Sequence, residues 1–202
     1  MRALFLLLTC LLVASPAVAQ LALTPSQTEG PYYPVARLKP VETDSDLTRV
    51  GSANAKGAVV VVKGIVVDPS GQPIEGARVE IWQTDNQGIY LHPGDSNVGR
   101  RDKGFQFYGE AKSDAAGAVT FRTIIPSRYP GRARHIHVKV TPPGGSTLTT
   151  QLYFAGDSDL GRDGPARSLG KALADVTLTP KPAADGASEA TVRLVVRRGK
   201  GA

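Results

Sequence analysis

The chain has 202 residues, with 24 Lys and Arg against 18 Asp and Glu, a formal net charge of +6, and only three histidines. This length suits one domain with a substantial hydrophobic core. The basic excess is mild, spread along the chain and not interleaved with aromatic residues. These features argue against nucleic-acid binding, whereas attraction of small anionic substrates stays open.

The first nineteen residues have the pattern of an export signal. Arg2 gives a short positive region, residues 4–13 are apolar, and Ala17-Val18-Ala19 resembles a cleavage site. We therefore expect export to the periplasm or the extracellular space. Cys10 is the single cysteine, so cleavage would leave no thiol or disulfide. No other stretch has the length of a membrane span, and we expect no membrane association after cleavage.

Residues 20–57 show little periodicity and are predicted to form an N-terminal arm, and residues 58–202 are predicted to form a single domain. Apolar or alternating runs bounded by turn-forming residues predict strands at 58–67, 77–82, 118–125, 135–141, 148–154 and 191–197. The Pro- and Gly-containing turn at 68–73 suggests that the first two strands pair with each other. One helix is predicted at 166–176, weakened by Gly170. The pattern predicts an all-β fold, an antiparallel or mixed β-sandwich with Greek-key connections and little helix.

Two of the three histidines, His135 and His137, alternate along one predicted strand. Residues i and i+2 of a strand point to the same face, so both imidazoles are expected side by side while Ile136 faces the other layer. This arrangement suits a metal ion, although paired histidines on a strand are also common without one. The third histidine, His92, is not expected to be a ligand.

Oxygen ligands could complete such a site, because no thiolate remains after cleavage. The candidates are the carboxylates of Asp85, Asp95 and Asp114, or tyrosines. A tyrosine binds at neutral pH only to a strongly Lewis-acidic ion, since its free pKa is about 10. Ferric iron meets that demand best, because two phenolates and a hydroxide balance its charge. The alternative is that the tyrosines near Gly and Pro only flank turns.

Four segments resemble the intradiol ring-cleavage dioxygenases, a family that includes protocatechuate 3,4-dioxygenases and catechol 1,2-dioxygenases. The segments are TPSQTEGPYYP at 24–34, VKGIVVDPSGQPIEGARVEIWQTDNQGIY at 62–90, FRTIIPSRYPGRARHIHVKV at 121–140 and TQLYFAGD at 150–157. The combination of Tyr-Pro and Arg-x-x-His-Ile-His with Trp-Gln-x-Asp-x-x-Gly-x-Tyr is more specific than any one piece. The matching segments span most of the chain that follows the predicted signal.

The resemblance implies a non-haem Fe(III) cofactor and a catechol-type substrate whose ring is cleaved between its two hydroxyls with O2. It implies four iron ligands: Tyr90, Tyr129, His135 and His137. Among them, Tyr129 would be the tyrosinate displaced by the substrate. Arg132 would stabilise charge that develops on the substrate, and Gln151 would line the pocket. The implied product is a cis,cis-muconate-type dicarboxylate, and the implied role is the catabolism of aromatic compounds.

The chain departs from the larger members of the family in one respect. Only five residues separate Tyr129 from His135, whereas protocatechuate and catechol enzymes have a longer loop there. The compact form resembles smaller, often secreted members and leaves the substituents on the substrate ring open. Arg128 and Arg134 could form an anion pocket or a solvated loop. A homo-oligomer is compatible with the sequence.

Two other functions remain compatible with parts of the pattern. The strand signature at 64–79 also occurs in non-catalytic β-sandwich binding modules, such as carboxypeptidase regulatory-like domains, because it specifies only a packed strand-turn-strand unit. A zinc hydrolase could use the same two histidines, and it would be colourless and independent of oxygen. The tyrosines and histidines together discriminate between these possibilities.

Overall fold

A computed structural model describes residues 20–35, 44–184 and 186–199. The predicted export signal lies outside the described residues. The strands are β1 (Arg49–Val50), β2 (Ala53–Asn54), β3 (Val59–Val67), β4 (Arg78–Trp82), β5 (Tyr108–Lys112), β6 (Ala118–Ile124), β7 (His135–Thr141), β8 (Leu148–Phe154), β9 (Thr177–Leu178), β10 (Lys181–Pro182) and β11 (Ser188–Val195). The predicted all-β class is confirmed.

Nine of these strands form two larger sheets. The four-stranded sheet has the order β10-β11-β3-β6, and the five-stranded sheet has the order β5-β4-β7-β8-β9. Most neighbours are antiparallel, but β11 pairs with β3, and β8 with β9, in parallel. The sandwich is therefore mixed. The chain crosses between the two sheets repeatedly, and β1 and β2 form a separate short hairpin.

The core lies between the two sheets and is built from the inward rows of their strands. Val60, Val62 and Val66 of β3 are buried in the same cluster as Val79 and Ile81 of β4. This arrangement corrects the predicted hairpin, because β3 and β4 belong to different sheets and their inward rows face each other across the core. If β3 and β4 paired within one sheet, their apolar rows would lie on the same face of that sheet. A further layer would then have to cover both rows.

Two further predictions differ from the structure. The predicted helix at 166–176 is instead a short helix α1, Gly164–Ser168, followed by a 3-10 helix, Gly170–Val176. Gly170 has a φ of +53°, which ends the α-helical path between them. Strand β5 was not predicted, since its glycine and charged residues give only a weak pattern. Within the described residues, no helix is long and apolar enough to span a membrane.

The described part of the arm, residues 20–35, runs along the sandwich and is held by backbone hydrogen bonds. The amide of Leu21 donates to the carbonyl of Pro69, that of Thr24 to Val195, and that of Gln27 to Thr149 of β8. The arm thereby extends from the turn after β3, past β11, to β8 of the five-stranded sheet. Residues of both faces of β7 are buried, including His135 and His137.

The turn after β3 depends on one carboxylate, that of Asp68. Its Oδ1 accepts hydrogen bonds from the Ser70 hydroxyl at 2.6 Å and from the amides of Ser70 and Gln72, and its Oδ2 accepts one from Arg198 at 2.8 Å. The Ser70 hydroxyl is the largest of the causes that lower the pKa of Asp68 to about 2. The carboxylate therefore stabilises the folded chain in its ionised form.

We expect Asp68→Ala to lower the free energy of unfolding at neutral pH by about 1–2 kcal/mol, because several hydrogen bonds are lost. The depressed pKa means that this stabilisation is complete above the ordinary Asp range and disappears as pH falls toward about 2. Urea unfolding between pH 7 and pH 2 measures both effects. Glu189→Gln, which affects an exposed pair with Lys63, is the control and should change little.

Candidate active site

The two histidines of β7 share one face of the strand, as predicted, and this face is the outer one of the five-stranded sheet. In the strand register, His137 lies between Trp82 of β4 and Gln151 of β8, and His135 lies opposite Tyr153. Ile136 points into the hydrophobic core. The alternation of β7 therefore secures the strand in the core with one row and presents both imidazoles to the site with the other.

Tyr90 lies in the loop that follows β4, and buried hydrogen bonds shape this loop. Asp85 is fully buried, and its Oδ1 accepts from the amides of Gln87 at 2.8 Å and Ile89 at 3.1 Å. The Tyr90 amide donates to Asp95 Oδ2 at 2.8 Å. Two carboxylates thus hold the backbone on either side of Tyr90, whose ring is buried.

Tyr129 lies in the loop between β6 and β7, which packs directly on the Tyr90 loop. Gly88 has a φ of +81°, and a Cβ at this position would lie 2.4 Å from the carbonyl oxygen of Arg128. The Ser127 amide also donates to the carbonyl of Asp85 at 3.0 Å. A glycine at position 88 therefore permits the close approach that brings the two tyrosine loops together.

Three ligand-type atoms converge at the outer end of these elements. The Tyr90 Oη lies 3.1 Å from His137 Nε2 and 3.4 Å from His135 Nε2, and the two nitrogens are 3.2 Å apart. Ligands at right angles around a metal ion with bonds of about 2.1 Å lie ~3 Å apart. The three atoms therefore have the spacing of one face of a coordination polyhedron. The Tyr129 ring lies beside them, 5.5 Å from the Tyr90 ring and 5.7 Å from the His135 ring.

The protonation of His135 leaves a lone pair at this point of convergence. Its Nδ1 lies 2.7 Å from the Ala133 carbonyl oxygen, which can only accept, so Nδ1 carries the proton. Burial, followed by the nearby charge of Arg132, lowers the pKa of His135 to about 4. Burial also lowers the pKa of His137 well below its usual range. Both imidazoles are neutral at pH 7, and neutral imidazole is the form that binds metals.

The two tyrosines have raised pKa values for the same reason. Burial raises the pKa of Tyr90 well above its usual range, and the pKa of the half-buried Tyr129 is also raised by burial, although Arg132 opposes this effect. Both phenols keep their protons unless a cation compensates for the charge. The donor set therefore fits a strongly Lewis-acidic metal ion, whose binding would displace these protons.

Arg132 is held in place on three sides. Its Nε donates to the buried Asp163 Oδ2 at 2.8 Å, one Nη donates to Tyr129 Oη at 3.0 Å, and the other donates to Gln151 Oε1. Asp163 also accepts from the Ala133 amide, and it caps helix α1 through the Ala166 amide. The guanidinium is thus aimed at the phenol oxygen of Tyr129.

Gln151 is fully buried beside His137 and has its amide fixed. Its Oε1 accepts from Arg132 and from Tyr153 Oη at 3.2 Å, and its Nε2 donates to the Thr28 carbonyl of the arm at 3.0 Å. The structure therefore brings all six residues singled out in the sequence into one cluster. Gln151 orients Arg132 there and connects the site to the arm.

The other candidates raised by the sequence lie elsewhere or have structural partners. Asp85, Asp95 and Asp114 are bound to backbone amides of their own loops. Arg128 forms ion pairs with Asp159 and with Asp157 at 3.6 Å, and Arg134 lies 3.9 Å from Asp157. These contacts do not leave the two arginines as an open anion pocket. His92 accepts from the Gly94 amide, apart from the converging ligand atoms.

Three contributors to the site were not predicted from the sequence. Asp163 is 31 residues from Arg132 in the chain, and nothing in its local pattern marks it. The Trp82 ring stacks on His137 with centroids 4.8 Å apart, and the Tyr32 ring stacks on Tyr90 at 4.7 Å. The Gly-Pro-Tyr-Tyr run at 30–33 was the available signal for Tyr32, since it was already part of the resemblance.

Comparisons with known proteins identify the family of the chain. The family model described as Dioxygenase matches residues 28–192. The chain belongs to the intradiol ring-cleavage dioxygenase family. The region matched by the family model begins within the described arm and ends within β11, so it includes the site and strands of both sheets.

Several relatives of this intradiol dioxygenase family member are known. The protocatechuate 3,4-dioxygenase beta chain of Burkholderia cepacia is 35% identical over 142 residues, which cover 66% of this chain and 60% of that protein. The hydroxyquinol 1,2-dioxygenase of Nocardioides simplex is 31% identical, with 66% and 48% covered. The chain thus spans about half to three-fifths of the length of the curated relatives it matches.

Solved structures include chains of similar size. The dioxygenase domain of a dioxygenase carbohydrate-binding protein fusion from Streptomyces sp. SirexAA-E is 32% identical, with a TM-score of 0.68 and coverage of 88% of this chain and 99% of that one. An intradiol ring-cleavage dioxygenase from Tetranychus urticae has the same TM-score at 23% identity, which supports the fold alone. The compact form of the chain therefore has structural counterparts.

We expect Asp163→Asn to lower the free energy of unfolding by about 3 kcal/mol, because it leaves the charge of Arg132 largely buried without its ionic partner. Chemical denaturation measures this loss. Glu189→Gln, which removes an exposed partner of Lys63, is the matched control and should leave stability almost unchanged. Equal, small effects of the two substitutions would show that Asp163 does not anchor Arg132.

Proposed function

We propose that the chain is a non-haem Fe(III) dioxygenase that cleaves a catechol-type ring between its two hydroxyls. Both atoms of O2 would enter the product, a cis,cis-muconate-type dicarboxylate, in the catabolism of aromatic compounds. The observation that supports this most directly is the convergence of Tyr90 Oη, His135 Nε2 and His137 Nε2 within 3.1–3.4 Å, beside Tyr129 and Arg132. Family membership provides the independent support.

The proposed iron ligands are Tyr90, Tyr129, His135 and His137. Two phenolates and two neutral imidazoles form a hard, anionic donor set with no thiolate, which suits ferric iron. The raised pKa values of both tyrosines are consistent with this assignment, because only a highly charged ion compensates for the cost of ionising buried phenols. Zinc would not require tyrosine ligands.

When bound, ferric iron would supply Lewis-acid and electron-transfer chemistry that makes a catecholate ring reactive toward O2. The protein residues would bind the substrate and move its protons. Tyr129 is half-buried whereas Tyr90 is buried, so Tyr129 is the phenol with room to leave its position. In the phenolate form that a bound cation would favour, its Oη could take up a proton from a substrate hydroxyl as Tyr129 leaves its hydrogen bond with Arg132.

The surroundings of Arg132 suit a second role for this residue. After Tyr129 moves away, the Nη that it occupied would be free to donate to an oxygen of the substrate. The ion pair with Asp163 and the hydrogen bond to Gln151 would hold the guanidinium in the same orientation meanwhile. A preorganised donor of this kind stabilises negative charge that develops during the reaction.

Ligand substitutions test the proposed metal centre. We expect His137→Ala to reduce the iron content of the purified protein at least tenfold and to abolish turnover of catechol, because a ligand is lost. Tyr129→Phe should lose part of the tyrosinate-to-iron absorption in the visible spectrum. His92→Asn is the matched control, since His92 lies outside the converging atoms, and it should retain iron and colour. Unchanged iron and turnover in the first two variants would refute the ligand assignment.

The visible spectrum before and after anaerobic addition of catechol separates the proposed function from its alternatives. A tyrosinate-to-iron absorption that shifts with catechol is expected. Colourless protein with oxygen-independent hydrolysis would indicate a zinc enzyme instead. A metal-free chain that does not respond to catechol would indicate a non-catalytic β-sandwich.

The arginine pairs described above favour a catechol without an anionic substituent. Because Arg128 is paired with Asp157 and Asp159, we expect Arg128→Ala to change kcat/KM by the same small factor for catechol and for a ring-carboxylated catechol. Steady-state kinetics on both substrates measures this. A loss of kcat/KM confined to the carboxylated substrate would instead support an anion pocket that includes Arg128.

Export remains part of the proposal. Its support is the signal-peptide pattern at residues 1–19, with cleavage after Ala19. Expression of the whole chain in a bacterial host, followed by fractionation and N-terminal sequencing, tests it. A mature N-terminus near Gln20 outside the cytoplasm is expected, whereas an uncleaved cytoplasmic chain would exclude export in that host.

A further inference from the structure

The arm contacts the candidate site through three residues of its Gly-Pro-Tyr-Tyr run. Gly30 lies against His137, where an added Cβ would be 3.3 Å from the imidazole Cε1. The Tyr32 ring stacks on the Tyr90 ring, and the Tyr33 ring meets Trp82 edge to face, with centroids 4.9 Å apart. The arm is therefore a wall of the site.

Tyr33 is attached to the sheet by a buried carboxylate. Glu80 of β4 is 1% exposed, and its Oε1 accepts from Tyr33 Oη at 2.7 Å and from Tyr108 Oη at 2.7 Å. Arg78 neutralises the other oxygen at 2.5 Å. Because the acceptor is buried and forms an ion pair with Arg78, the hydrogen bond from Tyr33 belongs to the stronger, charge-assisted class.

Lys139 of β7 strengthens the same attachment. Its Nζ lies 3.7 Å from the centroid of the Tyr33 ring and 5.7 Å from that of Trp82, and it forms an ion pair with Glu29 of the arm. The Tyr33 ring is thus held at its hydroxyl by Glu80, on its face by the ammonium group, and against Trp82 in a T-shaped contact.

Trp82 connects Tyr33 to His137. The indole and imidazole rings are stacked with an interplanar angle of 6°. A metal-binding histidine is usually oriented by a hydrogen bond from its second ring nitrogen, as His135 is by Ala133. Within residues 20–35, 44–184 and 186–199, no group provides such a bond to His137 Nδ1. The face of Trp82 is the flat surface against which the structure stacks this imidazole.

We propose that Glu80 and Tyr33 are positioning residues for His137. Their hydrogen bond holds the arm on Trp82, and Trp82 keeps the imidazole plane in the orientation that directs Nε2 toward His135 and Tyr90. This inference rests on the proposed function only where it treats His137 as an iron ligand. The chain of contacts from Glu80 through Tyr33 and Trp82 is independent of the metal.

The chain offers a matched pair of variants. Tyr33→Phe and Tyr108→Phe each remove one hydroxyl from the same oxygen of Glu80, but only Tyr33 belongs to the arm. Trp82 is the single tryptophan of the chain and is 1% exposed, so tryptophan fluorescence reports on the surroundings of this residue alone. Acrylamide quenching of the full chain, with and without iron, measures how often the arm exposes it.

We expect Tyr33→Phe to raise the quenching constant of Trp82 several-fold, because loss of a charge-assisted bond makes local opening about tenfold more frequent. Tyr108→Phe should leave quenching close to that of the unchanged chain. In iron-loaded protein, Tyr33→Phe should release ferric iron to a chelator about tenfold faster, as loss of an orienting contact does at other metal sites. Tyr108→Phe also removes hydrogen bonds with Arg78 and Glu110, so it should lower the unfolding temperature at least as much as Tyr33→Phe. Greater quenching in Tyr33→Phe is then a local effect.

Three results would overturn the proposal. Quenching and iron release unchanged in Tyr33→Phe would show that the arm is held without Glu80. Equal changes of quenching and iron release in Tyr33→Phe and Tyr108→Phe would show that the effect comes from the buried carboxylate of Glu80 and not from the arm. Increased quenching with unchanged iron release would separate Trp82 from His137. If Tyr33→Phe fails to fold, Glu80→Gln removes the acceptor side of the same hydrogen bond. Unchanged quenching in Glu80→Gln would also show that the arm is held without Glu80.

The outcome is distinguishable from failure of the proposed function. If the unchanged chain binds no ferric iron, the proposed function fails, and the quenching comparison still decides whether Tyr33 and Glu80 hold the arm on Trp82. If iron binds and the Tyr33 variant retains it normally, the ligand assignment stands and the positioning role fails.

Discussion

The pairing of β7 with β4 on one side and β8 on the other is the constraint on which the site depends. It places Trp82 and Gln151 on either side of His137 and commits Ile136 to the core. A shift of one residue in this register would exchange the two faces of β7, exposing apolar side chains and burying the imidazoles between the sheets. The hydrophobic core thereby determines the orientation of the histidines.

The electrostatic balance of the site follows from burial within this framework. Burial lowers the pKa of both imidazoles and raises the pKa of both phenols, so it favours the neutral form of each group. Arg132 is compatible with this environment because Asp163 supplies the opposite charge. The neutral imidazoles and phenols lie beside Arg132, whose charge is balanced by Asp163. Such a site can accept a cation, whose binding would release the phenolic protons.

The arm completes the site from outside the sandwich. Without it, the outer face of the five-stranded sheet would be exposed to solvent, and the polarity of the imidazole environment would rise. Its attachments differ in kind: Gln27 joins β8 through backbone and side-chain bonds, whereas Tyr33 joins β4 through Glu80. The site therefore lies between a rigid sheet and a segment held by individual polar contacts.

Local patterns in the sequence determined the class of fold, most of the strands and the common face of His135 and His137, because side-chain alternation is a property of each strand by itself. Motif resemblance also identified Tyr90, Tyr129, Arg132 and Gln151, which the structure brings together. Only the tertiary structure decided that β3 and β4 lie in different sheets, since alternation specifies a buried face but not the neighbouring strand.

The same distinction applies to the charged residues. Asp163 and Arg132 meet across 31 residues of chain, and Arg128 is paired with acidic residues after β8, so neither partnership has a local signal. The roles of Asp85 and Asp95 as loop supports were equally hidden, because an aspartate can bind either a metal ion or backbone amides. Long-range packing decides between these roles by determining which partners come within hydrogen-bonding distance.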